Sequence, residues 1–189
     1  MPGETTMMDA KAIDRALSRM AHEIAEQTEK VALLAFVGIH SRGVPLAHRL
    51  ASRMEAFTGV KIPVGALDIT LHRDDLRNRV IIPKIQPTHI PFDVSGRHVV
   101  LIDDVLFTGR SFQAALNALL DFGRCARIRI AVLVDRGHRE LPLKADFVGK
   151  NVPTSPEQKV VVRLREIDGE DGATLITPPA TPTQTVSAP

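Results

Sequence analysis

Apolar residues recur at helical spacing from Ala10 to about Thr28, where Ile13, Leu17, Met20 and Ile24 form one stripe and Arg15, Arg19, His22 and Glu26 lie opposite. That pattern predicts an amphipathic helix. The apolar run Val31 to Val37 reads as a short buried strand, and Pro45 suits the first turn of a second helix reaching about Phe57. Lys61 to Thr70 and Arg97 to Asp104 read as extended. Ser111 opens a third helix that Gly123 stops, and Arg127 to Asp135 is a further strand. Ala145 to Val148 and Lys159 to Glu166 are expected to finish the sheet. Strands alternating with helices predict an α/β domain: a central, mostly parallel sheet flanked by helices, with ligands at the carboxyl ends of its strands.

This rhythm occupies residues 9–176. Residues 1–8 are expected to be a flexible N-terminus, and the Pro/Thr-rich stretch 177–189 a disordered tail. Between about residues 71 and 92 the alternation breaks. A long insertion of this kind serves as a flexible hood over a site or forms a surface hairpin. With 189 residues and 44% hydrophobic content, one core is expected. The single cysteine, Cys125, excludes an internal disulfide and suits a reducing compartment. No apolar run approaches the roughly twenty residues of a membrane span, and the first residues lack the features of a signal peptide, so a cytoplasmic protein is expected. A net charge of +2 leaves any nucleic-acid affinity to a local patch.

Chemistry concentrates in Val99-Val100-Leu101-Ile102-Asp103-Asp104-Val105-Leu106-Phe107-Thr108-Gly109-Arg110-Ser111. A buried strand ends in two carboxylates, and a turn with two hydroxyls and a glycine opens a helix. Backbone N–H groups at a helix start attract a phosphate monoester, and a glycine lets the backbone approach it. The carboxylates would repel phosphate, so they must face hydroxyls or a metal ion about one sugar ring away. A ribose 5-phosphate meets both demands. A second turn, Gly38-Ile39-His40-Ser41-Arg42-Gly43, places a hydroxyl and a guanidinium at a strand-to-helix junction, suitable for a diphosphate or simply a turn.

The first loop resembles the phosphoribosyl diphosphate (PRPP) loop of type I phosphoribosyltransferases. The resemblance narrows with Ala16 to Glu23, the Ser41-Arg42-Gly43 turn, Asp68 to Leu76, Val132 to Pro142 and Gly149 to Ser155. Together these stretches are similar to the family of bifunctional pyrimidine operon regulators, PyrR, over roughly Asp9 to Ile176. Phe107 and His72 stand where that family commonly has tyrosine.

The resemblance implies a type I phosphoribosyltransferase fold and transfer of ribose 5-phosphate from PRPP to uracil, giving UMP and diphosphate with Mg²⁺ carried by the substrate rather than by the protein alone. Asp103 and Asp104 would be catalytic; Val105, Leu106, Phe107, Thr108, Gly109, Arg110 and Ser111 would form the 5-phosphate loop; Ser41, Arg42 and Arg73 would hold diphosphate. Phe147 and Val148 are either base-binding or core. The second implied activity is binding of pyrimidine leader mRNA under control of UMP or UTP, through Ser18, Arg19, His22, Arg136, His138, Arg139, Lys144 and Lys150, in a homodimer or higher oligomer. A solvated helix face and loop would explain the same charges. The alternatives are a uracil phosphoribosyltransferase without RNA binding and a purine-type enzyme.

Overall fold

The computed structural model describes residues 3–72 and 86–179. Arg73, most of the expected hood and residues 180–189 lie outside the described residues.

Five parallel strands make the main sheet in the order β3-β2-β4-β5-β6. They are β2 (Leu34–Ile39), β3 (Val64–Leu67), β4 (His98–Leu106), β5 (Arg127–Asp135) and β6 (Phe147–Asn151). Every residue of β2 is buried, as expected of a strand covered on both faces. On one face α1 (Ala10–Glu26) and α2 (Gly43–Thr58) bury Leu17, Met20, Leu46 and Leu50 against Phe36 and Phe147. On the other, α3 (Arg110–Leu120) buries Phe112, Ala115 and Leu119 against Val37, Leu101 and Val132. Each fully buried large side chain contributes about 1.5–3 kcal/mol.

Residues 3–8, expected to be flexible, instead belong to β1 (Gly3–Asp9), paired antiparallel with β8 (Gly172–Thr177). Met8 is buried, and Asp9 caps α1 by accepting the Ala12 amide at 2.7 Å. β7 (Lys159–Arg163) joins β8 in this second, antiparallel sheet rather than finishing the main one. Val160 and Val162 point inward while their neighbours do not, an alternation that fits a sheet with one solvated face. Glu166 falls in a short helix, α4 (Arg165–Asp168), not in a strand. The strand expected from Val31 begins with a 3₁₀ turn, Val31–Leu33.

Candidate functional site

β2 leads through α2 to β3 on one side, whereas β4 leads through α3 to β5 on the other, and the two helices cover opposite faces of the sheet. The direction of winding therefore reverses between β2 and β4. Ligands of open parallel sheets bind in the crevice at such a switch point. Both turns singled out by the sequence leave the carboxyl ends of these adjacent strands.

Close packing fixes the first turn. A Cβ on Gly43 would lie 2.2 Å from the Ile102 carbonyl oxygen, and one on Gly38 would lie 2.5 Å from the Gly43 oxygen. The α2 start is thus pressed against β4 immediately before the acid pair, with a cis peptide at His40-Ser41 and with Ser41 exposed. In the second turn Gly109, at φ +96°, is the residue preceding α3, a conformation glycine adopts without a Cβ penalty. The Arg110 amide points to the Thr108 hydroxyl at 3.4 Å. The first turn of α3 presents backbone N–H groups with no intrahelical acceptor, the geometry of an anion site.

Between the turns, Asp103 is buried and accepts the Asp104 amide at 2.9 Å; Asp104 accepts the Val105 amide at the same distance. Burial pushes Asp104 above the ordinary carboxylate range, against the hydrogen bond with Asp103 and the charge of Arg42. The Arg42 charge opposes that rise and so favours the ionised form, which attracts a cation.

Arg42, expected to hold diphosphate, pairs with an acid of this chain. Its guanidinium forks onto Asp168 of α4, Nη2 to Oδ1 at 2.7 Å and Nε to Oδ2 at 3.2 Å, and that carboxylate raises the Arg42 pKa and is itself held low. A cavity of about 630 Å³ lies beside this pair, lined among others by Ser41, Val44, Pro45, His48 and Ile167.

The loop after β5 braces the turn between β4 and α3. Glu140 and Leu141 donate their amides to the Thr108 carbonyl, Arg139 donates to the Phe107 carbonyl at 2.8 Å and pairs with Asp135, and the Arg136 guanidinium sits 3.9 Å from the Phe107 ring centre. Arg136 is 6% exposed, and its nitrogens donate to the Thr154 hydroxyl and the Ser155 carbonyl. Both arginines, expected on an RNA face, contact Phe107 in the turn after β4. Arg110 donates to Glu140 at 2.7 Å.

Phe147, a candidate base stacker, is fully buried in the core beneath α1 with Arg129 over its ring, so neither face is open to a ligand. Val148 is partly buried against the second core. At the ends of β5 and β6 a depression of about 360 Å³ is lined by Asp135, Gly137, Asn151, Val152 and Pro153 among others.

A separate basic surface lies across α1 and β6. Arg19 donates to the carbonyls of Val148 and Gly149 at 3.0 and 2.6 Å, and Lys150 donates to the Met7 carbonyl at 2.8 Å. With Arg15 they border one cavity of about 310 Å³. Ser18, whose hydroxyl bonds back to the Asp14 carbonyl, and His22 share that helix surface, whereas His138 and Lys144 are exposed on the loop after β5. The structure brings Arg19 and Lys150 together and leaves that loop as a second group.

Sequence reasoning missed the tie between α2 and α4. Arg49 forks onto both Glu166 and Asp171, and Arg53 pairs with Asp14 of α1. The spacing Arg42, Arg49, Arg53 along one helix, together with the acids of 166–171, was the available signal.

Two phosphate-type turns and a carboxylate pair at the switch point of a parallel sheet define a site of the phosphoribosyltransferase class. The phosphoribosyl transferase domain family matches residues 5–167. The structure superposes on the hypoxanthine phosphoribosyltransferase of Trypanosoma cruzi with a TM-score of 0.70 at 15% identity, covering 92% of this chain and 91% of that one, which shows the fold. The bifunctional protein PyrR of a Roseiflexus species is 57% identical over 95% of this chain and 98% of that protein, and PyrR of Thermus thermophilus is 57% identical over 89% and 93%. The chain belongs to the bifunctional PyrR family within the phosphoribosyltransferases.

Proposed function

We propose that the protein transfers ribose 5-phosphate from PRPP to uracil, yielding UMP and diphosphate, and that the same nucleotide site governs binding of pyrimidine leader mRNA. The carrying observation is the acid pair Asp103 and Asp104 set between two anion-binding turns at the switch point, in a chain of the PyrR family. Thr108, Gly109 and Ser111 with the α3 amides hold the 5-phosphate. Asp103 and Asp104 accept hydrogen bonds from the ribose hydroxyls and stabilise the positive charge that develops as the bond to diphosphate breaks. Backbone and hydroxyl groups at Ser41 receive the diphosphate. Arg42 acts on Asp104 through its charge, and Arg73 belongs to the same reading. Uracil sits in the depression at the ends of β5 and β6.

No three His, Cys, Asp or Glu side chains converge as a metal cage among the described residues. The hard oxygens of Asp103 and Asp104 fit Mg²⁺ arriving with PRPP, which draws much of its coordination from substrate phosphates and water. When bound, the ion neutralises charge on the departing diphosphate.

For RNA, the surface of Arg19, Lys150, His22 and Ser18 supplies cations and hydroxyls, with His138 and Lys144 as a second group on the loop after β5, and a homodimer extends the surface. No described helix is long and apolar enough to cross a membrane, in keeping with work in the cytoplasm beside the transcript. The test is conversion of radiolabelled uracil by the purified protein with PRPP and Mg²⁺. UMP is the expected product, and faster reaction with hypoxanthine than with uracil would replace this reading with a purine enzyme.

A further inference from the structure

The sequence contains no aromatic-rich platform for stacking bases, yet the fold builds a small one. His22 of α1 and Phe57 of α2 lie ring on ring, with centroids 4.2 Å apart and planes 18° from parallel. Both residues are exposed, Phe57 at 42% of its surface. The two helices run side by side in step. Arg53 reaches Ser18 one turn before Phe57 reaches His22, and it also pairs with Asp14. The phenyl ring stacked on the imidazole thus remains partly open to solvent.

Its surroundings select the partner. Arg19 lies three residues from His22, with over half of its side chain exposed, and Lys150 stands beyond it on β6. Glu23 also shares Arg19 at 3.6 Å, and Asp14, paired with Arg53, and Glu26 lie on the same exposed side of α1, so the cationic character rests on Arg15, Arg19 and Lys150. Cations that hold a phosphate backbone, next to an aromatic face that any base can cover, are the two elements of single-stranded nucleic-acid binding.

We propose that the His22–Phe57 pair is a stacking platform for an unpaired base of the RNA whose phosphates lie on Arg19 and Lys150. This rests on the RNA-binding reading and adds to it a residue outside the basic set. Phe57 lies fourteen positions along α2 from Gly43, roughly 21 Å by helical rise, so it is far from the phosphoribosyl site.

The test uses a leader RNA stem-loop carrying 2-aminopurine at an unpaired position, titrated with the full-length protein at several salt concentrations. Phe57→Ala should weaken binding roughly 5- to 100-fold and relieve quenching of the probe, with the salt slope unchanged. Phe57→Trp should keep affinity and quenching, and Phe57→Leu should behave as Phe57→Ala, so that lost stacking is separated from lost volume. Arg19→Gln should instead make the salt slope shallower by about one unit. Uracil transfer should be unchanged in every Phe57 variant. Parental RNA affinity in Phe57→Ala, with Arg19→Gln impaired, overturns the platform and leaves the RNA reading standing. A Phe57→Ala protein that alters only its sedimentation marks the patch as an interface between copies. Absence of RNA binding by the parent protein overturns both.

Discussion

Arg49→Met should destabilise the protein by about 3 kcal/mol at neutral pH. The guanidinium makes four hydrogen bonds of 2.6–3.0 Å, two to Glu166 and two to Asp171. Arg49 and Asp171 are 13% and 15% exposed in their side chains, while Glu166 is 43% exposed. Breaking a buried pair by removing one partner costs about 3–5 kcal/mol, and an exposed pair contributes about 0–1 kcal/mol. The Asp171 contact lies toward the first limit and the Glu166 contact toward the second. Asp171 keeps the Arg165 amide at 2.8 Å, which moderates the loss. Methionine retains much of the arginine stem's packing, so the loss reports charge and hydrogen bonding.

The pH dependence of this loss has a definite sign. Arg49 holds both acids below their ordinary values, so their contribution is present above the unfolded carboxylate pKa and fades as pH falls through the folded values. The difference between parent and variant should therefore shrink to under about 1 kcal/mol between about pH 4 and pH 2. Urea unfolding at each pH, with m compared to confirm that the denatured state is unchanged, provides the measurement. A difference below about 1 kcal/mol at neutral pH, or one that persists undiminished in acid, would refute the reasoning.

Further consequences concern the site. Asp104→Asn should lower kcat on the order of a hundredfold with the melting temperature little changed, measured by uracil conversion. Arg42→Met removes a cation that lowers the Asp104 pKa, so the acid limb of kcat/KM should move to higher pH; an unmoved limb would show that Arg42 does not act on this acid. Gly43→Ala places a methyl 2.2 Å from the Ile102 oxygen and should destabilise by about 1–3 kcal/mol while raising KM for PRPP, read by urea unfolding and initial rates.

Helical stripes and the apolar strands were legible because each element states its own burial through its period. The stripe Ile13, Leu17, Met20, Ile24 is buried, and the fully apolar Leu34–Ile39 is a central strand. The acid pair and both turns were equally legible, since their chemistry is carried by adjacent residues. The second sheet was not. Gly3–Asp9 is polar and mostly exposed, and it becomes a strand only by pairing with a segment about 170 residues away, which no local pattern encodes. The partners of the site arginines were illegible for the same reason. Arg42 meets Asp168 across 126 positions, and Arg136 and Arg139 turn back onto Phe107, contacts that no local pattern encodes. Phe147 was ambiguous in sequence because an aromatic residue opening a strand suits a core and a stacking site alike.

Coupling between the two activities is tested most directly by titrating leader RNA into the protein with and without saturating UMP, and UMP into the protein with and without RNA. A phosphoribosyl site that senses nucleotide for the RNA surface predicts that UMP tightens RNA binding and that RNA tightens UMP binding by the same factor. The Asp104→Asn variant, deficient in transfer, should retain part of this linkage, because the 5-phosphate turn is intact. Equal RNA affinities with and without UMP would contradict the coupling and leave an enzyme whose RNA surface answers to something else.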